Sequence, residues 1–171
     1  MSILPRAAAP LLAQALRTLR IVAVTGPRQA GKSTFVEHHP ALLDRPYFSL
    51  DDASVLRRAR ENPAAFVRSE SRMTLDEVQR EPELILAIKA AVDRQRPAVR
   101  GRFVLTGSAN LLMMKRVSDS LSGRAYYLRL WPMTRREQLG LASAGSWDRF
   151  FEEEAAGWLD VVRGTDPPAA S

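Results

Sequence analysis

Two patterns of apolar residues alternate along this chain. Short apolar runs occur at 21–25 (IVAVT), 47–50, 72–75, 102–106 (RFVLT) and 125–130, each the length of one strand. The first is rich in β-branched residues and has no polar residue before its end, the signature of a strand buried on both faces. Between the runs, apolar residues return at helical spacing. Leu11, Leu12, Ala15, Leu16 and Leu19 mark a helix over 6–19. Leu84, Ile85, Ile88, Ala91 and Val92 mark another over 82–94, with Pro82 in its first turn. Further helices are predicted at 32–38, over 53–69 with a break near Asn62-Pro63, and at 110–119. Strands alternating with helices across short turns predict a mostly parallel α/β sheet. Beyond Pro132 the pattern weakens: 134–139 and 147–162 read as short helices, and 165–171 as a disordered end.

At 171 residues, with 46% hydrophobic and 26% charged side chains, the chain suits one domain. A domain of this size buries about 70% of its unfolded surface without staples. The absence of cysteine excludes a disulfide scaffold, a thiolate metal site and cysteine catalysis. Both histidines, His38 and His39, are adjacent, which excludes the usual histidine-rich zinc sites and reads as structural. The formal net charge of +6 is uneven. Residues 1–136 hold 23 basic and 12 acidic side chains (+11), whereas residues 137–171 hold 2 and 7 (−5). A basic body attracts polyanions such as nucleic acid. Yet 22 of the 25 basic residues are arginine, which follows equally from the coding composition of a genome. The uncharged stretch at 7–16 is broken by Pro10 and falls short of the ~20 residues a spanning helix needs. Residues 1–5 carry no basic region of a signal peptide, so a cytoplasmic protein without a membrane partner is expected.

The chemistry concentrates in three places. Gly26, Pro27, Arg28, Gln29, Ala30, Gly31, Lys32 and Ser33 match G-x-x-x-x-G-K-[ST] in full, directly after the first strand and before a helix. Two glycines let backbone N–H groups converge on phosphate oxygens, and the helix adds its positive N-terminal end. Lys32 then reaches the β- and γ-phosphates, Ser33 binds Mg²⁺ and Thr34 lies near the α-phosphate. The third strand ends at Asp76-Glu77, 44 residues beyond Lys32. Asp76 reads as the Mg²⁺-linked carboxylate and Glu77 as the general base for the attacking water. The fourth strand ends in Thr106-Gly107-Ser108. Thr106 or Ser108 is placed to bond the γ-phosphate or the lytic water, because parallel sheets bind ligands at their carboxyl ends. Capping of the following helix explains the same residues equally well. Arg124, ahead of the fifth strand, is a candidate finger toward nucleotide, in cis or from a neighbouring subunit. Arg28 reads as a surface or interface position. Asp51 and Asp52 read as caps of the helix at Ser54, or as members of the Mg²⁺ network.

Together, GPRQAGKST, LDEVQ, FVLTGSANLL and LSGRAYYLRLWPMTRREQLG closely resemble a group of prokaryotic AAA-type ATPases. In these an ATPase domain is usually followed by a separate C-terminal domain of unknown function. The resemblance runs from about Ile3 to about Leu139, roughly four-fifths of the chain. It implies a P-loop NTPase (AAA-like) three-layer sandwich with a mainly parallel five-stranded sheet in the order 5-1-4-3-2. It also implies Gly26 to Thr34 as the nucleotide loop, Asp76 and Glu77 as the Walker-B pair, Thr106 to Ser108 as a sensor-like segment, and Arg124 as the Gly-Arg position before the last core strand. The core would span 1–139. Residues 140–171 would be a short acidic tail, partly disordered, left from the link to a C-terminal domain this chain lacks.

The expected function is binding and Mg²⁺-dependent hydrolysis of ATP, driving conformational change in a larger assembly, with self-association and nucleic acid as candidate partnerships. A nucleotide or small-molecule kinase is disfavoured because no Arg-rich lid stands between the fourth and fifth strands. A GTPase is disfavoured because no Asn-Lys-x-Asp signature occurs. The alternative is a non-hydrolysing nucleotide switch or a nucleic-acid-binding module.

Overall fold

The apolar runs become five strands: β1 (Ile21–Gly26), β2 (Tyr47–Ser49), β3 (Met73–Asp76), β4 (Phe103–Ser108) and β5 (Ala125–Arg129). The computed structural model describes residues 3–94, 98–108 and 121–141. The helices expected at 110–119 and 147–162, and the end at 165–171, lie outside the described residues. Every strand pairing is parallel, in the order β2-β3-β4-β1-β5, which is the expected 5-1-4-3-2 read from the other side. β1 lies between β4 and β5 and is buried at all six positions, as its unbroken apolar run requires.

Among the described residues six helices flank the sheet: α1 (Ala9–Thr18), α2 (Lys32–His38), α3 (Ala53–Glu61), α4 (Pro63–Phe66), α5 (Pro82–Arg94) and α6 (Arg135–Gln138). The expected break within 53–69 falls at Asn62, whose side chain accepts from Ala65 N at 2.9 Å while Pro63 opens α4. Strand side chains alternate between faces, and each face has its own core. Ile21, Ala23, Met73, Leu75, Phe103 and Leu105 pack with α3, α4 and α5. Val22, Val24, Val104, Leu128 and Leu130 pack with α1 and α2. The result is a three-layer α/β sandwich. On α1 the buried stripe is Leu12, Ala15 and Leu16. Leu11, expected on that stripe, is 48% exposed because the helix rotates it about 100° from Leu12, off the sheet.

An arginine stands one or two residues ahead of every strand: Arg20, Arg45, Arg72, Arg102 and Arg124. Four of them donate to main-chain carbonyls, Arg124 to the nearby Ser122 and the other three to carbonyls more than ten residues away. Arg20 reaches Val92 at 2.9 Å, Arg45 reaches Gly101 at 2.6 Å, and Arg102 reaches Ala91 at 3.2 Å and Val67 at 3.3 Å. Ala91 and Val92 lie in the last turn of α5, where carbonyls lack intrahelical partners and the helix dipole favours cations. Part of the basic excess thus serves the chain's own backbone.

His39 joins α1 to α2. Its Nδ1 accepts from Ala41 N at 3.1 Å and its Nε2 donates to Ala9 O at 3.2 Å, an arrangement that requires the neutral ring. Burial holds its pKa below the ordinary histidine value, outweighing the bond to Ala9. The unfolded chain therefore takes up the proton first. This contribution to stability is complete above the unfolded pKa of about 6.5 and is lost progressively as pH falls below it. A melting-temperature series is expected to show that decline, and His39→Gln is expected to flatten it.

Candidate nucleotide site

The turn after β1 is shaped by backbone that side chains would not tolerate. Gly26 has φ +154°, and a Cβ there would lie 2.1 Å from the carbonyl oxygen of Leu130. Gln29 (φ 61°) and Gly31 (φ 80°) are left-handed, so the loop curls tightly before α2 begins at Lys32. The Lys32 side chain is buried and its Nζ donates to Pro27 O at 2.8 Å, spanning the loop. Arg28 is exposed on the outside of the turn.

Asp76, the last residue of β3, is only 4% exposed, and three hydroxyls converge on it. Ser33 Oγ donates to its Oδ1 at 3.1 Å, Tyr47 OH donates to its Oδ2 at 2.8 Å, and Thr106 Oγ1 also donates to Oδ1. Burial and the neighbouring Asp76 carboxylate push the Tyr47 hydroxyl well above the usual phenol range, so it remains a proton donor. Glu77 follows with φ 57°, a left-handed backbone that is strained for a residue with a side chain. Its N–H donates to Thr106 Oγ1 at 3.1 Å, and its Oε2 accepts from Gln79 Nε2. Backbone strain of this kind persists where the surroundings fix it and is concentrated at working sites.

Parallel strands bring these groups to one edge. The loop from Gly26 to Thr34, Asp76, Glu77 and Ser108 all stand at the carboxyl ends of strands, and Ser108 is paired directly with Gly26. Ser33 and Asp76, the two residues assigned to Mg²⁺, are in contact. Two expectations need correction. Thr106 does not face the loop's contents, because its hydroxyl is fully buried and engaged by both Asp76 and the Glu77 N–H. Arg124 does not reach its own loop. It precedes Ala125, which pairs with Ile21 at the amino end of β1, about 17 Å of strand away from Gly26. There it forms a two-pronged ion pair with Asp93, at 2.7 and 3.0 Å. Asp52 accepts from Ser54 N at 2.7 Å and Val55 N at 3.3 Å, which is the capping role, while Asp51 pairs with Arg80.

Three residues of this region were not read from the sequence. Tyr47 reaches Asp76 only through the β2-β3 pairing and has no local signal. Arg6 lies buried against the loop at Ala30, and Glu137 pairs with it at 3.1 Å. For Glu137 a signal existed: Thr134-x-x-Glu137 is a capping box, and both of its hydrogen bonds are formed. Beside Gly31 and Thr34 opens a cavity of about 570 Å³ lined largely by apolar side chains, among them Leu4, Pro5, Ala9, Phe35 and Met133.

A family model described as "AAA domain" matches residues 18–139, most of the chain. The chain belongs to the AAA domain family. Two curated relatives are 31% identical over 164 residues: the uncharacterized proteins Mb2031c of Mycobacterium bovis and Rv2008c of Mycobacterium tuberculosis. The alignment takes in 91% of this chain but only 37% of each relative, so the AAA domain here spans little more than a third of their length. Among solved structures, AMPPCP-bound DnaA from Aquifex aeolicus shares the fold at a TM-score of 0.53 and 13% identity, over 96% of this chain and 59% of that one. Among the described residues of this AAA domain, no helix is long and apolar enough to cross a membrane.

Thr106→Val keeps the shape of the side chain but orphans the Glu77 N–H and removes a donor from Asp76. A loss of about 1–3 kcal/mol in denaturant unfolding is expected.

Proposed function

We propose that this AAA domain binds ATP with Mg²⁺ and hydrolyses it to ADP and phosphate. The observation that carries the reading is the 3.1 Å contact between Ser33 and Asp76, with Glu77 next along the chain. The residues present fit the ion: a hydroxyl and a carboxylate, both oxygen donors as Mg²⁺ prefers, already adjoin at the head of α2. Ser33 and Asp76 would hold Mg²⁺, which supplies neutralising charge for phosphate oxygens. Lys32, which spans the loop to Pro27 O, is placed to exchange that carbonyl for phosphate. The N–H groups of the loop and the first turn of α2 bind the remaining oxygens. The apolar cavity beside Gly31 and Thr34 has room for the nucleoside.

Glu77 acts as the base. Gln79 holds its Oε2, and Oε1 takes the proton from the water that attacks the terminal phosphoryl group. Asp76 is the less suited of the two carboxylates, since three hydroxyls already occupy its oxygens. Ser108, partly exposed and paired with Gly26, is the polar group at the end of β4 left to orient that water. Arg124 stands at the opposite edge, so it serves a γ-phosphate only when a second copy brings it there; this ties turnover to self-association.

Lys32→Ala is expected to abolish ATP binding, whereas Glu77→Gln retains binding and loses phosphate release by 10²-fold or more, on the order expected for a general base. Normal turnover by Glu77→Gln would remove Glu77 as the base. Binding by the wild type with no phosphate release would replace hydrolysis by a nucleotide switch. Mixing inactive Lys32→Ala with inactive Arg124→Ala is expected to recover activity, since mixed interfaces join an intact loop to an intact Arg124. Failure of the mixture leaves Arg124 without a role in the chemistry.

A further inference from the structure

Arg6 is charged, buried to 7% exposure, and far in sequence from the groups it holds. Its Nη1 donates to Ala30 O at 2.9 Å, its Nη2 to Trp131 O at 2.6 Å, and its Nε to Glu137 Oε1 at 3.1 Å. The first of these bonds falls inside the phosphate loop. A trans peptide is planar, so the carbonyl of one residue and the N–H of the next point to opposite sides. A guanidinium that draws the Ala30 carbonyl to the outside of the loop therefore turns the Gly31 N–H toward the other side. Gly31 supplies the left-handed backbone that this turn needs, with φ 80°, and a Cβ there would meet Arg6 Nη1 only at ordinary contact distance.

The other end of the guanidinium is held as firmly. Glu137 Oε1 also accepts from Ala7 N at 2.9 Å, and its Oε2 accepts from Thr134 N at 2.8 Å and Thr134 Oγ1 at 3.2 Å. Burial alone would raise the Glu137 pKa, but the Thr134 and Ala7 N–H groups and the Arg6 guanidinium hold it below the ordinary carboxylate value. The carboxylate is thus charged and fixed by the first turn of α6. Trp131 and Met133, from the same segment beyond β5, give a carbonyl to Arg6 and a wall to the cavity beside the loop.

We propose that Arg6 is a positioning residue of the phosphate loop: by holding the Ala30 carbonyl it aims the Gly31 N–H at bound phosphate, and through Glu137 it makes the loop's shape depend on the position of α6. The proposal rests on the reading of the loop as an ATP site, and it deepens that reading into a route of regulation. Any displacement of α6 by the chain beyond it, or by a partner, would pull Arg6 and relax the loop.

The test combines hydrogen exchange of the nucleotide-free chain, ATP affinity and thermal melting on Arg6→Met, Glu137→Gln and the double variant. Arg6→Met is expected to speed exchange of the amides at 28–32 while those of β1 and β4 stay protected. ATP affinity is expected to weaken by about tenfold or more, the scale of a lost charge-assisted hydrogen bond. Glu137→Gln is expected to move both readouts in the same direction, and to add nothing once Arg6 is gone. Loop exchange and ATP affinity at wild-type values in folded Arg6→Met would overturn the proposal. If Arg6→Met does not fold, unchanged loop exchange in Glu137→Gln overturns it equally. Wild-type protein that binds no ATP, or Lys32→Ala that binds as tightly as wild type, would sink the nucleotide reading, while loop exchange still decides what Arg6 does.

Discussion

Parallel pairing governs this molecule. Because β1 to β5 all run the same way, each chain segment must return across a face of the sheet before the next strand begins, and every strand delivers its last residue to the same edge. That edge receives Gly26, Ser49, Asp76 and Ser108, and with them the turns that bear polar chemistry. The opposite edge receives the arginines that precede the strands and the carboxyl ends of α1 and α5. Arginine is stable there because exposed helix carbonyls need donors. The separation of Arg124 from its own loop is a consequence of the same rule, since a residue ahead of a strand and a residue after one cannot meet within one parallel sheet.

At the working edge, one buried carboxylate organises its surroundings. A carboxyl group so little exposed requires hydrogen-bond partners, and Asp76 draws them from α2, β2 and β4 through Ser33, Tyr47 and Thr106. Thr106 performs two tasks with one oxygen: it donates to Asp76 and accepts from the N–H of Glu77. That second bond helps to hold Glu77 in its left-handed backbone, turning the chain sharply as it leaves β3. Removing water from Asp76 and straining Glu77 are therefore one structural event. The side chain that donates to Asp76 thus also holds the backbone of the next residue in the chain.

The loop is similarly bound from both sides. Lys32 bridges it internally to Pro27, while Arg6 grips it externally at Ala30 and reaches the segment after β5. Residues 131 and 137 are thereby tied to the loop through Arg6 although they follow the last strand. The family match begins at residue 18, yet Arg6, which precedes it, closes the domain in space together with residues beyond the last strand.

Local signals were legible in this sequence to the residue. The bounds of α2 and α5, the break before Pro63 and the strand order followed from apolar spacing, from proline and from motifs whose resemblance carried a topology. Gly26 to Thr34, and Asp76 with Glu77, stood out as candidates because phosphate binding and metal binding demand certain residue types at short, fixed intervals. The remainder depended on distance in space. Whether a hydroxyl faces a ligand or a neighbouring carboxylate is set by which strands pair, so the choice between Thr106 and Ser108 stayed open until Thr106 was seen to bond Asp76. Whether an arginine approaches a phosphate is set by the edge it occupies, so the choice for Arg124 between its own loop, about 17 Å away, and that of a neighbouring subunit depended on the strand register. Arg6 and Glu137 meet across 131 positions, through burial that no local pattern encodes. The candidate groups could be read from the chain alone, because loop and strand-end signatures are written in contiguous residues. The tertiary structure alone decided which of those groups face the site and which support it, because a hydrogen bond is made or lost within a few tenths of an ångström and only the packed sheet sets those distances.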